Sequence, residues 1–357
     1  MMYSLFKYFA FKVDPERVHH LAVNSLSRLP SLFSLYGAIA NDEKLYIQTN
    51  VGTMSFPLGI AAGLDKNGEL INYFGRLGVG GLEVGTVTPL PQEGNSRPRL
   101  FRIVKEKSLR NSMGFNGDGA KAVYKNVKKS NSHLMKVGIN FGKNKITPND
   151  KALDDYLKLF NFFEGEGDYY VINVSSPNTP GLRELQDRSF LMELDKEIRN
   201  TNVTKPVYLK VSPDLNNSQI EDLVSMVNDS CFSGIIATNT TSMHDYGGGG
   251  VSGKLLSHKS RSVRNKVLNL MKDQKEKEVF GVGGVSSIVD LWDFWRNGGK
   301  FMQVYSSFIF QGPGMIRKIS EDIHYSINYF GVENLEELIR LIYLEKVKAP
   351  PKLDYLY

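Results

Sequence analysis

Eight short runs of β-branched and aromatic residues, separated by longer amphipathic stretches, constrain this chain more than any other feature. They occupy residues 57–62, 80–86, 135–140, 169–174, 207–211, 234–238, 279–282 and 301–305. Between them, stretches such as 149–164, 218–227 and 287–296 place apolar residues three and four apart, the repeat of a helix with one buried face. Alternation of strand and helix builds a parallel sheet. Eight units close that sheet, so the expected fold is α/β: a (β/α)8 TIM barrel. A chain of 357 residues with 41% apolar composition suffices for one such barrel and a small extension.

Nearly every run ends in a small, polar or glycine-rich cluster, and in a barrel all these ends lie on the face where active sites form. The clusters are Gly63 to Lys66, Thr86, Asn140, Ser175 to Asn178, Ser212 to Asp214, Asn239 with Thr240, Gly283 with Gly284, and Tyr305 with Ser306. Gly281, Gly283 and Gly284 superficially resemble a dinucleotide fingerprint, but they sit in the seventh unit rather than in a first βαβ. Loops after the last two barrel strands commonly hold a phosphate on backbone N–H groups, so Gly283, Gly284, Tyr305 and Ser306 read as a phosphate cradle. Lys210 lies inside the fifth strand; its readings are a Schiff-base nucleophile, a fixed charge beside a cofactor, or, in the other register, a surface lysine. Asn111, Asn173, Asn178, Asn239 and Thr240, with Lys66, suit a small planar carboxylate bearing carbonyl and N–H groups. Ser176 sits at the centre of this face. A hydrolytic triad needs a positioned histidine, and of His19, His20, His133, His244, His258 and His324 only His244 falls in a loop on that side.

Residues 1–40 break the βα pattern. Met2, Leu5, Phe6, Phe9 and Val13 form one helical stripe, and Val18, Leu21, Ala22, Leu26 and Leu29 a second. Asp14 followed by Pro15 marks a helix start. Two short helices therefore precede the barrel, either plugging it or packing on its side, or forming a membrane-surface platform with an apolar passage between them. The expected protein is neither secreted nor membrane-spanning, since no uncharged apolar run reaches spanning length and no cleavable signal is seen. Cys231 is the only cysteine, which excludes an internal disulfide and a thiolate metal cage; no metal is expected. The net charge of +6 and pI near 9.0 leave the partner open. The lysine-rich stretches 125–129 and 272–277 read as solvated helix faces, and without an aromatic platform or finger spacing nucleic acid drops out.

Taken in order, the segments Ala-Ala-Gly-Leu-Asp-Lys at 61–66, Glu-Val-Gly-Thr-Val-Thr-Pro at 83–89, Asn-Ser-Met-Gly-Phe-Asn at 111–116, Asn-Val-Ser-Ser-Pro-Asn-Thr-Pro-Gly-Leu at 173–182 and Ala-Thr-Asn-Thr-Thr at 237–241 resemble the dihydroorotate dehydrogenase family from residue 1 to about 320. Ser176 at the base position and the N-terminal helical pair resemble its quinone-dependent class. The resemblance implies oxidation of (S)-dihydroorotate to orotate in pyrimidine (UMP) biosynthesis, with hydride passing to flavin mononucleotide (FMN) and electrons to a membrane quinone. It implies FMN contacts at Ala62, Gly63, Lys66, Thr86, Asn140, Asn173, Lys210, Thr238, Gly253, Gly283, Gly284, Tyr305 and Ser306. It implies dihydroorotate and orotate contacts at Lys66, Asn111, Ser112, Met113, Gly114, Phe115, Asn173, Asn178, Asn239 and Thr240. Ser176 becomes the base that removes the C5 proton, Thr179 a member of its relay, and His19 and Arg102 line the quinone site.

The implied organisation is a membrane and quinone extension at 1–40, a barrel with both sites at 41–328, and a C-terminal extension of unknown role at 329–357. Peripheral association through the N-terminal helices, on the cytoplasmic face of a bacterial cell membrane, follows without any obligate protein partner. On this division, removing residues 1–40 spares flavin reduction and abolishes quinone reduction. A soluble electron acceptor and a Lys210 Schiff-base lyase are the alternatives. Two features depart from the family pattern: a short loop at 242–252, and the tail with its amphipathic stretch at 334–344.

Overall fold

The computed structural model describes residues 2–354; the parts of the two terminal extensions at Met1 and 355–357, and the side chains of Met2, Lys352 and Asp354, lie outside the described residues. Eight parallel strands close into a barrel in chain order: β1 (Leu58–Ile60), β2 (Gly81–Val87), β3 (Lys136–Phe141), β4 (Tyr169–Asn173), β5 (Val207–Val211), β6 (Gly234–Ala237), β7 (Glu278–Val282) and β8 (Met302–Val304). Each matches one of the eight expected runs within two residues. Pairing runs around the whole ring, with Met302 opposite Leu58 where β8 meets β1 and one register shift between β2 and β3 at Gly85 to Val87. The helices Ala152–Phe162, Asn217–Asn228 and Ile288–Arg296 form where the apolar spacing placed them. Ser287 and Asp290 cap the last of these reciprocally, which satisfies N–H groups that a helix start leaves open.

The barrel interior is layered. Its lower layer, toward the strand starts, is aromatic: Tyr208 stacks on Phe280 at 4.6 Å, Tyr169 meets Tyr208 edge-on at 5.6 Å, and Phe280 meets Phe301 at 4.9 Å. Rings of this size fit because small residues face them. A Cβ on Gly138 would sit 2.2 Å from Tyr169 Cζ, and one on Gly59 would sit 2.5 Å from Phe301 Cζ. A two-stranded hairpin, Ile47–Thr49 with Gly52–Met54, lies at the same end, its turn joined to β7 by Asn50 N–H donating to Glu278 at 3.0 Å.

At the opposite end a four-stranded antiparallel sheet covers part of the mouth, in the order Thr241–Ser242, Gly250–Gly253, Ser108–Asn111, Leu100–Ile103. The short 242–252 segment is a tight connection inside this sheet that delivers Ser252 and Gly253 to the mouth. Beside the sheet lie α1 (Met2–Ala10) and α2 (Pro15–Arg28). Asp14 caps α2 by accepting from Arg17 N–H at 2.9 Å, and Pro15 takes the first helical position. Tyr3 and Lys7 on α1 donate to the carbonyls of Ile309 and Phe310 at 2.6 and 3.0 Å, and Phe11 packs on Phe310. Neither helix plugs the barrel. Leu5, Phe6, Phe9 and Val13 remain exposed, so the first apolar stripe faces outward, whereas the second is split: Leu21 and Leu29 are exposed while Leu26, beside buried Val23, packs against the core.

Two sequence readings are refined. Residues 125–129 do lie in a helix, Gly119–Lys129, but the 272–277 stretch does not, because its helix ends at Met271. It is the turn into β7, and Lys277 donates to the carbonyls of Ser230 and Phe232 at 2.8 and 2.6 Å. The amphipathic stretch at 334–344 becomes the helix Leu335–Glu345, capped by Asn334 and packed against Ile288–Arg296. Leu335, Leu338 and Ile342 are fully buried there, so this part of the tail belongs to the barrel wall. Truncating Leu338 to alanine should therefore cost about 2–5 kcal/mol of stability in urea denaturation. An unchanged midpoint would make the helix a dispensable appendage.

Candidate active site

Above the aromatic layer the barrel interior turns polar. Glu83 on β2 is fully buried and accepts from Lys210 Nζ on β5 at 2.7 Å and from Asn140 Nδ2 on β3 at 2.6 Å. Thr86 donates to Asn140 Oδ1 at 2.5 Å, and Asn173 Nδ2 donates to Thr86 Oγ1 at 2.8 Å. Asn239 Nδ2 then joins Asn173 Oδ1 at 3.2 Å and Ser175 Oγ at 2.9 Å. A charge buried this deeply persists only when paired and hydrogen-bonded. Lys210 thus points inward, not to the surface, and as half of an ion pair it is a fixed cation rather than a free amine nucleophile.

One cavity opens on this layer, and every residue expected in the cofactor and substrate sites lines it except Asn140 and Ser112. Asn140 lies beneath, in the ion-pair network, while Ser112 uses its backbone N–H to bond Arg99 O at 2.8 Å. Ser176 also lines the cavity and is buried, its hydroxyl accepting from Asn178 N–H at 3.2 Å. Asn178 Nδ2 donates to Asn111 Oδ1 at 2.9 Å, which leaves Asn178 Oδ1 buried without a protein partner. Thr179 lies behind this wall with an unpartnered buried hydroxyl. Arg183 holds the loop by bonding the carbonyls of Ser175 and Thr240, both at 3.2 Å. His244 is exposed in a turn and contacts none of this, so no triad assembles.

Lys66 reaches the cavity because Asp65 folds the loop beneath it, accepting from Glu69 and Leu70 N–H at 2.9 and 2.8 Å. Burial pushes the Lys66 ammonium down to about 8, against the favourable field of Glu16. Among the described residues it has no hydrogen-bond acceptor, so an anion in the cavity is its natural counter-charge. On the far side, Gly283 and Gly284 take positive φ of 103° and 73°, and a Cβ on Gly284 would sit 2.3 Å from Ser257 Cα. Buried Arg264 fixes this turn through the carbonyls of Val282 and Gly283 at 3.0 and 2.8 Å. Ser306 opens the next helix and shares a 2.8 Å hydrogen bond with Ser252.

His19 and Arg102 stand outside the cavity lining, where α2 meets the strand Leu100–Ile103. Arg102 donates to Val13 O at 2.8 Å and covers the Phe11 ring at 4.7 Å. Burial, then the nearby Lys66 charge, push the His19 imidazole down to about 3, so it is neutral at physiological pH.

Sequence reasoning missed Glu83, Gln303, Arg264 and the pair Glu16–Arg99. Glu83 and Gln303 carried a signal, since Glu83 is the one charged residue, and Gln303 the one polar residue, of its strand. Arg264, Glu16 and Arg99 carried none, because their partners are distant in sequence.

A closed barrel that gathers a glycine turn, a buried cation and amide side chains on one cavity at the ends of its strands has the architecture of an enzyme of the TIM-barrel class. Comparison narrows the class. The sequence model of the family described as "Dihydroorotate dehydrogenase" matches residues 46–327. Among relatives named "Dihydroorotate dehydrogenase (quinone)", that of Nitratiruptor sp. is 39% identical over 95% of this chain and 99% of its own. That of Idiomarina loihiensis is 41% identical over 89% of this chain and 99% of its own. The Eimeria tenella enzyme solved with ferulenol superposes with a TM-score of 0.78 at 29% identity, covering 90% of this chain and 94% of that one. The chain belongs to the dihydroorotate dehydrogenase family and is an oxidoreductase.

The Lys66 ammonium sets a pH limit. A carboxylate bound against it should lose affinity as pH rises through about 8, approaching tenfold per unit above that point. Titration with orotate between pH 7 and 9.5 reads this directly, and Lys66→Met should flatten the profile. A flat wild-type profile would remove Lys66 as the anion's partner.

Proposed function

We propose that this chain oxidises dihydroorotate to orotate in pyrimidine biosynthesis, with FMN as resident cofactor and a quinone as final electron acceptor. The observation that carries this reading is the convergence of Ser176, the unpartnered Asn178 Oδ1 and Lys66 on one cavity floored by the Lys210–Glu83 pair.

The residues present fit FMN. Gly283, Gly284, Tyr305 and Ser306 suit its phosphate, with no side chain on either glycine to obstruct it. Gln303 Oε1, buried without a protein partner at the cavity floor, suits a ring N–H, and Lys210 suits an electron-rich ring edge. Ala62, Gly63, Thr86, Asn140, Asn173, Thr238 and Gly253 complete the set, with Lys66 bordering both sites. When bound, FMN supplies an acceptor for hydride from substrate C6 and a donor of electrons to the quinone.

The chain's own residues orient the substrate and move its proton. Lys66 meets the carboxylate, while Asn111, Asn173, Asn178, Asn239 and Thr240 match the ring carbonyl and N–H groups. Ser112 to Phe115 close over it. Ser176 takes the C5 proton. A serine hydroxyl is a poor base, so the proton must pass onward as it is taken, and the unpartnered Thr179 hydroxyl three residues on suits that relay. Burial of both groups excludes bulk water from the reacting centre.

Electrons leave toward residues 1–40. Neutral His19 and the Arg102 guanidinium each offer a donor to a quinone carbonyl. The exposed apolar residues of α1 and α2, flanked by Lys12 and Arg28, suit insertion into an anionic interface. Among the described residues no helix is long and apolar enough to cross a membrane. Peripheral attachment on the cytoplasmic face of a bacterial cell membrane is the corresponding placement, with the 41–328 region carrying both sites.

Ser176→Ala should slow anaerobic flavin reduction by dihydroorotate about 10²–10⁴-fold while leaving orotate affinity within a few-fold. Stopped-flow absorbance checks both. Equal reduction rates would take the proton-transfer role away from Ser176.

A further inference from the structure

Glu16 is only 5% exposed although it belongs to α2, the helix assigned above to the acceptor side. Its carboxylate is clamped by Arg99, itself 3% exposed: Nε lies 3.2 Å from both oxygens and Nη2 lies 2.6 Å from Oε1. Arg97 adds a second, outer cation at 3.3 Å. Arg99 is also tied to the substrate loops. Its Nη1 donates to the carbonyls of Glu93 and Asn95, and its own carbonyl accepts from Ser112 N–H at 2.8 Å. Asn95 in turn donates from its backbone to Met113 O at 3.0 Å and from its side chain to Asn178 O at 3.0 Å.

We infer that Glu16 is a positioning residue for the dihydroorotate half-reaction, acting through Arg99 and Asn95 on the loops that carry Asn111 to Phe115 and Ser176 to Asn178. The inference rests on the functional reading above.

This chain of contacts has little slack. A Cβ on Gly94 would sit 2.3 Å from Met113 O and 3.0 Å from Arg99 Nη1, and one on Gly114 would sit 2.8 Å from the Asn95 side chain. A shift of Arg99 is therefore passed to both loops rather than absorbed between them. Charge supplies a second route. Lys66 is faced by Glu16, which favours its ammonium, by Arg99 and Arg97, which oppose it, and by His19, whose own protonation it suppresses. Without the Glu16 carboxylate, Lys66 keeps only cationic and neutral neighbours, and Arg99 becomes a buried unpaired cation. On this inference helix α2 serves both half-reactions, and removing residues 1–40 is expected to slow flavin reduction as well as abolish quinone reduction.

The test uses the full-length, FMN-loaded enzyme without quinone. Orotate affinity is read from the flavin spectrum across pH 7–9.5, and dihydroorotate KM and limiting rate from anaerobic flavin reduction. Glu16→Gln should weaken orotate binding and raise KM about tenfold, with a smaller fall in limiting rate, and move the alkaline loss of binding to lower pH. Glu16→Asp should recover part of each effect. Arg17→Gln, one residue on with its side chain in solvent, should leave all of them unchanged. Asn95→Ala, which cuts the link to Asn178 without stranding a buried charge, should weaken orotate binding several-fold without moving the alkaline limb.

If Glu16→Gln and Asn95→Ala bind orotate and reduce flavin like wild type, the inference is wrong and α2 serves the acceptor alone. A Glu16→Gln that does not fold leaves Asn95→Ala to decide in the same way. A wild-type enzyme that neither binds orotate nor reduces its flavin with dihydroorotate overturns the functional reading itself, and the inference with it.

Discussion

The Lys210–Glu83 ion pair is the constraint around which the active end of the barrel is arranged. Two charges this deep cost several kcal/mol each to desolvate, and their attraction offsets that cost only if the remaining hydrogen-bonding capacity is met. Asn140 meets part of it from β3, at the same Glu83 oxygen that Lys210 takes, while Glu83 Oε2 stays buried without a protein partner; Thr86, Asn173 and Asn239 extend the network from Asn140 to the loop carrying Ser175. The aromatic layer of Tyr169, Tyr208, Phe280 and Phe301 closes the barrel beneath. A fixed cation with an apolar floor below it and a cavity above it is preorganised, so little reorganisation is needed when a ligand charge arrives.

The eight strands were legible because each is buried on both faces and reads as a short apolar run between turn residues. The cavity was legible because strand ends share one face of a barrel, so a list of strand-end residues is already a list of neighbours. Lys210 shows where that stops. Its position within a strand was clear, but inward or outward depends on register, and only Glu83 opposite it decided the matter. The 272–277 stretch fails differently: its lysines look like a helix face, yet Lys277 is spent on two loop carbonyls. Arg264 illustrates a third limit. Nothing local separates it from neighbouring Arg261, which remains half in solvent beside Asp290 and Asp293, whereas Arg264 is buried under the Gly283 turn.

Both additions to the barrel obey a packing rule that composition hides. The C-terminal helix Leu335–Glu345 buries its apolar stripe against Ile288–Arg296, so amphipathicity there records a wall contact. Helix α1 has a comparable stripe, yet its Leu5, Phe6 and Phe9 face outward and Tyr3 and Lys7 anchor it by hydrogen bonds, while α2 is held by Glu16 together with Val23 and Leu26 and leaves Leu21 and Leu29 exposed. The same sequence signal has opposite structural meanings at the two ends of the chain. What separates them is which face carries the groups that pair with the barrel.

That inversion has a consequence for how the enzyme's halves are joined. A helix held by its apolar face slides and rocks at low cost, because dispersion contacts are numerous and individually weak. A helix held by a buried bidentate ion pair does not, since displacement strands two charges. The anchoring of α2 through Glu16 therefore keeps its base in fixed register with Arg99 while Leu21 and Leu29 stay exposed. Arg99 shares its remaining hydrogen bonds with the loops around Ser112 and Asn95, so the register that serves the outer face of α2 also serves the cavity. Glu16 favours the Lys66 ammonium, whereas His19 is kept neutral by burial and by the Lys66 charge, against the field of the same carboxylate.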